Sequence, residues 1–297
     1  MNILHRLCMW AVPVFFMITG ALLLNPKKKI TYKQCVKKYC GRMLICLFLF
    51  GGVFALMKIV MEAGTFRPVM IAQAIGYVFT GESFDHLWYL YALIGIYLIL
   101  PILKAFVDAD ESGNNIIYAL TVLFILAFAM PLVEGLLDIE IEFYIPLTYT
   151  VFYVLLGHYL VSKDEQKLWI DLAVIAAIAL LFILMEAFDI KAGVWESYSS
   201  PFTAVMAAAI FDAFRHIKAE QGKEKGRLWK ADRLCFGAYL IHPVFIHCVY
   251  RLLKITPASF GIACWAMTIV FWIMFTACAF IGAWVMSKVP GLKKIVV

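Results

Sequence analysis

Long apolar stretches separated by short polar segments run through the whole chain. Nine of them approach the roughly 20 residues that a helix needs to cross a bilayer. The pattern predicts an all-α fold, a polytopic bundle of about nine transmembrane helices in one domain over residues 1–297. The nine predicted segments are 7–24, 43–61, 86–107, 116–137, 143–161, 169–188, 201–217, 234–254 and 261–286.

Composition excludes a soluble protein. Hydrophobic residues make up 64% of the chain and charged residues 15%, and the mean hydropathy is +0.88. In soluble domains, about 45–50% of the residues are apolar and about 25% are charged. The net charge of +6 comes from basic runs between apolar segments. We therefore expect membrane lipid, and no nucleic acid, as the partner of these charges.

Lysine and arginine are distributed unequally between the two sets of loops. If loop 25–42 is cytoplasmic and the segments alternate, nineteen basic residues lie on the cytoplasmic side and four on the other. The positive-inside rule then predicts that loops 25–42 and 218–233 are cytoplasmic and that loops 62–85 and 189–200 are outside. We expect a multi-pass protein of the plasma membrane with a cytoplasmic C-terminus and an external N-terminus.

The eight cysteines show neither a C-x-x-C motif nor zinc-like spacing with histidine. Most lie in apolar segments, so we expect reduced thiols that act as small apolar side chains, and no metal.

Ionisable side chains at membrane depth are costly and are candidates for function. Four of them lie near outer helix ends, where the interface is expected to satisfy them: Lys58, Glu134, Glu186 and Arg251. Asp212 and Arg215 are three residues apart, which predicts a local ion pair on one helix face. The remaining candidates are His158, His242 and His247.

His242 is the most informative of these histidines because Pro243 follows it. A proline inside a helix leaves one backbone carbonyl without its usual donor, and such sites commonly line a cavity. Tyr239 lies one turn earlier on the same face. His242 is predicted either to line a functional cavity or to be a hydrogen-bonded packing residue.

A second histidine lies where a predicted helix enters the membrane from outside. His86 follows Glu82 and Asp85 and precedes Trp88, Tyr89 and Tyr91. An interfacial aromatic belt explains the aromatic residues but not a histidine with two acidic neighbours. Histidine titrates near neutral pH, which suits proton transfer to or from a hydroxyl.

Four motifs, in order along the chain, resemble those of the acyltransferase 3 family of multi-pass membrane acyltransferases. Residues 12–20 resemble its proline-led helix with two phenylalanines, and residues 86–95 resemble its His-Leu-Trp helix. Tyr153 and Gly157 resemble the segment that usually ends in Gly-Tyr-Tyr, with His158 where tyrosine is common. Residues 236–243 resemble its Phe-Gly-Ile-Tyr-Leu-Ile-His-Pro motif.

The resemblance implies transfer of an acyl group, most often acetyl, from cytoplasmic acyl-CoA to a hydroxyl of a cell-surface or other extracytoplasmic sugar. His86 and His242 are the implied catalytic residues. Arg42, at the end of the first basic loop, is the expected ligand of the CoA phosphates, since a guanidinium binds phosphate through two parallel hydrogen bonds. An anchoring role at the membrane surface is the alternative for Arg42. Trp88, Tyr89 and Tyr239 complete the expected substrate-binding set.

The chain contains no G-x-S-x-G nucleophile motif, so direct transfer assisted by a general base is expected in preference to an acyl-enzyme. The family opens with a helix that carries a basic residue and a histidine about ten positions on. His5 and Arg6 do not reproduce that helix, so we expect the chain to lack it, in agreement with the external N-terminus. A small-molecule transporter and a catalytically inactive membrane fragment or partner remain the alternative functions.

Overall fold

The computed structural model describes residues 2–137, 148–188, 197–217 and 227–296. All regular secondary structure in these ranges is helical, which confirms the predicted all-α fold. The helices, in chain order, are α1 (Asn2–Cys8), α2 (Ala11–Leu23), α3 (Tyr32–Ala63), α4 (Val69–Thr80), α5 (Trp88–Asp108), α6 (Asn114–Leu137), α7 (Thr148–Ser162), α8 (Leu168–Ala187), α9 (Pro201–Arg215), α10 (Arg227–His247), α11 (Cys264–Met286) and α12 (Pro290–Val296).

Seven helical segments among the described residues are long and apolar enough to cross a membrane. They coincide with seven of the nine predicted stretches. The other two predictions correspond to α7 and α9, each of fifteen residues. Fifteen residues rise about 22 Å, less than the roughly 30 Å of a hydrocarbon core. Part of predicted segment 143–161 falls on residues 138–147, outside the described ranges.

Three of the four predicted loops contain helix. Residues 227–233 of loop 218–233 form the first turns of α10. Residues 32–42 of the first basic loop belong to α3, so Lys33, Lys37, Lys38 and Arg42 lie on a helical extension of the membrane segment. The predicted loop 62–85 contains α4, which packs against α3 through Ala55, Ile59, Met70 and Ala74. The twelve residues of α4 are too few to cross a bilayer. The chain therefore enters and leaves α4 on the same side of the membrane.

The fold divides into two compact units. The first contains residues 1–36 and 95–219, and the second contains residues 37–94 and 220–297. Among the described residues, the chain passes between them within α3, at residues 36–37, and within α5, at residues 94–95.

In the first unit, α2 and α7 approach so closely that their backbones touch. A methyl group at Gly20 would lie 1.8 Å from the carbonyl oxygen of Val154, and one at Gly157 would lie 2.0 Å from that of Met17. Only glycine fits at both positions without displacing a helix. These two glycines therefore set the spacing of the two helices.

The rest of the first unit is closed by apolar and polar contacts. Ile178, Phe182 and Met185 of α8 pack against Met206 and Ile210 of α9. Arg6 was expected in an external segment, but it is buried, with Nη2 3.7 Å from Oε2 of Glu186. This ion pair gives Glu186 a partner inside the protein. The ion pair predicted for Asp212 and Arg215 is confirmed.

In the second unit, α10 and α11 pack through small residues. Ala238 of α10 contacts Ala279 and Ala283 of α11. Gly282 allows Ile241 and Phe245 to approach α11 closely. The tight contact holds α10 in one rotational setting and thereby positions Tyr239 and His242, which lie on the same helix.

Candidate functional site

The backbone defect that Pro243 creates in α10 is used by the histidine beside it. In a regular helix the N–H of residue 243 bonds to the carbonyl of residue 239, and proline has no N–H. The Nδ1 atom of His242 lies 2.7 Å from this Tyr239 carbonyl oxygen. Because a carbonyl only accepts, Nδ1 carries the proton. In the neutral imidazole, Nε2 is then the atom that can accept a proton.

His86 lies beside this arrangement. It occupies a 3-10 turn, Asp85–Leu87, that leads into α5. Its ring centroid is 5.2 Å from that of His242 and 5.6 Å from that of Tyr239. The Tyr239 hydroxyl donates a hydrogen bond to the His86 backbone carbonyl. One helical turn of α10 therefore fixes both predicted catalytic histidines.

The ring of His86 is surrounded by aromatic side chains. Phe84 and Phe54 lie 5.6 and 6.0 Å from it, centroid to centroid. Both ring nitrogens are buried and make no well-formed hydrogen bond to a residue that the structure describes, although the Leu240 backbone is close enough to interact with the ring. A buried imidazole in this state is able to bond to a substrate.

A pocket adjoins this cluster, and Phe54 and Phe84 form part of its wall. Its walls are mainly apolar, and three basic side chains contribute to them: Lys58, His247 and Arg251. The His247 ring stands edge-on to Phe84, with 4.9 Å between the ring centroids. The pocket combines an apolar lining with groups that favour a polar or anionic ligand.

The predicted substrate-binding aromatic residues extend the cluster through successive ring contacts. The Tyr89 ring lies 5.8 Å from the Tyr239 ring, and the Trp88 ring lies 6.3 Å from the Tyr89 ring. Tyr89 and Tyr239 thus belong to the same group of rings as His86, and Trp88 is connected to it through Tyr89.

Arg42 lies at a different level of the second unit. Its Nε donates to the Ile295 backbone carbonyl at 2.9 Å, and its guanidinium carbon lies 4.8 Å from the centre of the Phe236 ring. The bond uses Nε rather than the two Nη groups. Phe236 in turn stacks near Tyr239, with 6.3 Å between the ring centroids. Arg42 is therefore linked to the histidine cluster through two aromatic rings.

Sequence reasoning missed part of this site. The contact of Phe54 with His86 joins residues thirty-two positions apart, and no local pattern indicates it. Lys58 and Arg251, both among the ionisable candidates and expected to be interfacial, line the pocket. One signal was available, because Lys58 follows Phe54 by four residues and Arg251 follows His247 by four. Each pair shares one helical face.

The comparison with protein families agrees with the four motifs. The family model described as Acyltransferase domain, of the acyltransferase 3 family, matches residues 1–288. No curated protein and no solved structure matches the chain. The match covers nearly the whole sequence, including every residue of the histidine cluster. The chain therefore belongs to the acyltransferase 3 family of membrane acyltransferases.

Proposed function

We propose that this chain transfers an acetyl group from acetyl-CoA to a hydroxyl of an extracytoplasmic sugar, with His86 and His242 as its catalytic pair. The observation that carries the proposal is the contact of two imidazoles, one of which has its tautomer set by the carbonyl that Pro243 leaves free. Paired imidazoles with available nitrogen atoms suit the removal of a proton from an alcohol.

In the proposed reaction, His86 accepts the proton of the acceptor hydroxyl as its oxygen attacks the thioester carbonyl. A tetrahedral intermediate forms, the C–S bond breaks, and the CoA thiolate leaves with the proton that His86 returns. His242 accepts a hydrogen bond through Nε2 from the protonated His86 and so stabilises the imidazolium. The products are the O-acetyl ester and free CoA, so no acyl-enzyme is required.

Arg42 is the proposed contact for the CoA phosphates. Along α3, Arg42 precedes Phe54 by twelve residues, and Phe54 touches the His86 ring, so the rise of the helix separates the two levels by roughly 18 Å. A long, thin donor suits this spacing, with its phosphates at Arg42 and its thioester at the histidines. Arg42 is also fixed at Nε, which orients the planar group for binding phosphate.

The acceptor is proposed to enter through the pocket beside Phe54 and Phe84. Hydroxyls of a sugar can bond to Lys58, His247 and Arg251 there, while the apolar wall packs against its ring carbons. The pocket and the His86 ring contact the same two phenylalanines, which supports the proposal that the acceptor binds near this base.

The orientation in the membrane is part of the proposal, and it counts the fifteen-residue helices α7 and α9 among the nine crossings. Loops 25–42 and 218–233 and the C-terminus are cytoplasmic, and loops 62–85 and 189–200 are outside. The charge bias supports this orientation. Within these loops, residues 189–196 and 218–226 lie outside the described ranges. Arg42 then lies at the cytoplasmic level of α3, with the donor, and Lys58 at the external level, with the acceptor.

The function is tested with membranes that contain the full chain. The measured quantity is the transfer of a labelled acetyl group from acetyl-CoA to cell-surface glycan. The His86→Ala variant should lose about 10²–10⁴-fold in rate, as expected for a general base. The control is His5→Ala, an exposed histidine on α1, which should transfer at the rate of the unmodified protein. Unchanged transfer by the His86 variant refutes the proposed role, and no transfer by the unmodified chain refutes the activity.

Orientation is tested separately by thiol labelling of intact cells. Single cysteines are placed at residue 28 and at residue 65 of a chain whose own cysteines are replaced. A membrane-impermeant reagent should label residue 65 and not residue 28. The reverse pattern inverts the proposed topology.

A further inference from the structure

Three side chains with metal-ligating atoms meet in the first unit, and none of them belongs to the histidine cluster. They are Asp171 in the first turn of α8, Asp212 in the last turn of α9, and His216 directly after α9. Asp212 and His216 are four residues apart and lie on one face of the helix end. One ligand atom from each of the three residues lies within 4.8 Å of the other two.

Burial makes this cluster unusual. Asp171 is 4% exposed and Asp212 is 2% exposed. The Oδ2 atom of Asp171 and the Nε2 atom of His216 make no hydrogen bond within the described ranges. They are 3.8 Å apart, which is too long for a hydrogen bond between them. A buried carboxylate oxygen without a partner is costly, so a ligand that binds it stabilises the fold.

Two of the three side chains, His216 and Asp212, are also held by neighbouring residues. Nδ1 of His216 lies 3.4 Å from Oε2 of Glu165, a contact that turns Nε2 toward the aspartates. Oδ2 of Asp212 accepts the backbone N–H of Gln166 at 2.9 Å. Supporting contacts of this kind orient the ligands in protein metal sites.

Arg215 offsets part of the negative charge of the cluster but does not bond to the unpartnered oxygen of Asp171. It pairs with Oδ1 of Asp212 and donates through Nη2 to the Lys163 carbonyl at 2.8 Å. With a neutral imidazole, the carboxylates of Asp171, Asp212 and Glu165 carry three negative charges against the one positive charge of Arg215. The net charge of −2 matches a divalent cation.

We propose that Asp171, Asp212 and His216 bind one Zn²⁺ ion. One imidazole nitrogen and two carboxylate oxygens are a ligand set that zinc accepts, and water completes its four-coordinate shell. Mg²⁺ and Ca²⁺ prefer oxygen ligands alone. In tetrahedral coordination with bonds of about 2.0–2.1 Å, the ligand atoms lie about 3.4 Å apart, so small side-chain movements complete the site.

The ion ties the beginning of α8 to the end of α9. It also fixes the connection 163–167, because Glu165 and Gln166 hold two of the ligands. His216 lines an open pocket with Leu168, Leu172 and Ile217, which gives an ion a path to the ligand atoms. The site is thus proposed as a clamp between two helices and has no part in acyl transfer.

A proton is the competing occupant. A doubly protonated, positively charged His216 would attract the carboxylates of Glu165 and Asp171, one on each side of its ring, without any metal. The two occupants differ in a measurable way, since an imidazolium binds no metal and a lysine or arginine can replace its charge.

The test uses the purified full chain in detergent, stripped with a chelator and then dialysed against Zn²⁺ or Mg²⁺. Metal content should reach about one Zn²⁺ per chain and no Mg²⁺, and zinc should raise the Tm by several degrees, as a ligand of the native state does. Asp171→Asn and His216→Gln should lose the ion and the rise in Tm. The matched control is Asp164→Asn, an exposed aspartate in the same connection, which should retain both.

Cobalt gives a readout that does not depend on stability. Co²⁺ bound to the unmodified chain should show the visible absorption of a four-coordinate ion, and the Asp171→Asn variant should not. The proposal is overturned if zinc binds the Asp171→Asn and unmodified chains equally. It is also overturned if the unmodified chain takes up no zinc, or if His216→Arg retains full stability in the presence of chelator, the result expected of a proton bridge.

Discussion

The Nδ1 atom of His242 lies 2.7 Å from the backbone carbonyl oxygen of Tyr239, the same carbonyl that loses its helical donor to Pro243. A defect in the backbone thereby fixes the tautomer of a side chain. The same residue, Tyr239, donates through its hydroxyl to the backbone of His86. These two contacts connect a local helix irregularity with the geometry of the whole candidate site.

Replacing Pro243 with alanine should separate stability from activity. The new N–H of residue 243 competes with His242 for the Tyr239 carbonyl, so the imidazole loses its fixed orientation. Transfer should slow by about tenfold to 10²-fold, the scale of a small misplacement of a catalytic group. At the same time the helix should become more stable, because proline is about 3 kcal/mol less favourable than alanine inside a helix.

The measurements for this variant are the rate of acetyl transfer and the Tm in detergent. Pro101→Ala is the matched control, since Pro101 also lies inside a helix but has no histidine beside it. It should gain stability and retain its rate. Equal rates for the Pro243 variant and the unmodified chain would show that the Tyr239 carbonyl does not position His242 for the reaction.

Several features of the site were predictable because they lie within one helix. His242, Pro243 and Tyr239 are neighbours in sequence, so the freed carbonyl and its cavity follow from helix geometry. The ring contacts of Phe54 with His86 and of Phe84 with His247 depend on how distant segments pack. Local pattern carries no information on that packing.

For the fold, too, features set by local sequence were predictable, and contacts between distant segments were not. Apolar length alone located the spanning helices, since a bilayer imposes a minimum length on each one. Helix α4 was assigned to a loop because its twelve residues fall below that length. The close approach of Gly20 to Val154 is a contact between helices far apart in sequence, and glycine alone does not reveal it.

The contact between α2 and α7 predicts a steep penalty for one methyl group. Gly157→Ala places Cβ 2.0 Å from the Met17 carbonyl oxygen, and neither backbone can yield locally. We expect a loss of about 1–3 kcal/mol or more in the free energy of unfolding, the range for overpacking. Gly95→Ala is the control, because no atom lies within 4 Å of its added Cβ.

Gly95→Ala should be neutral or stabilising by up to about 1 kcal/mol, the difference in helix propensity. Thermal unfolding of both variants in the same detergent provides the comparison. A Gly157→Ala protein as stable as Gly95→Ala would mean that the two helices do not touch as described.

Arg42 should contribute more to CoA binding than the lysines near it. Arg42→Ala should weaken binding by about 10- to 100-fold, equivalent to the 1.5–3 kcal/mol of a hydrogen bond to a charged group. Lys28→Ala should have little effect, because a lysine within a basic cluster is replaceable. Arg42→Lys should recover only part of the affinity, since an ammonium lacks the planar fork. Titration of the purified chain with CoA measures all three, and equal small effects would leave Arg42 as a membrane anchor.

Asp110 gives a prediction for pH. Partial desolvation raises the pKa of its carboxyl, but hydrogen bonds from the backbone N–H groups of Ile116 and Gly113 and from the Ser112 hydroxyl outweigh it and hold the pKa below its usual value. A lowered native pKa means that the stabilising contribution is present above the unfolded value of about 3.9 and is lost as the pH falls through the native value.

Asp110→Asn should therefore lower the Tm at neutral pH and reduce the fall in Tm on acidification. Glu111→Gln, an exposed neighbour, serves as the control and should follow the unmodified protein at every pH. Identical acid profiles for the Asp110 variant and the unmodified chain would contradict the role of these hydrogen bonds at the start of α6.

The most direct measurement of the central claim is a double-mutant cycle on His86 and His242, with the rate of acetyl transfer as the readout. If the two imidazoles, 5.2 Å apart, act in one proton transfer, each alanine variant should lose about 10²–10⁴-fold in rate. The His86→Ala, His242→Ala double variant should then be no slower than the slower single variant, because groups that act as a unit are not additive. Losses that multiply, or a single variant that retains full activity, would contradict the account of a catalytic histidine pair.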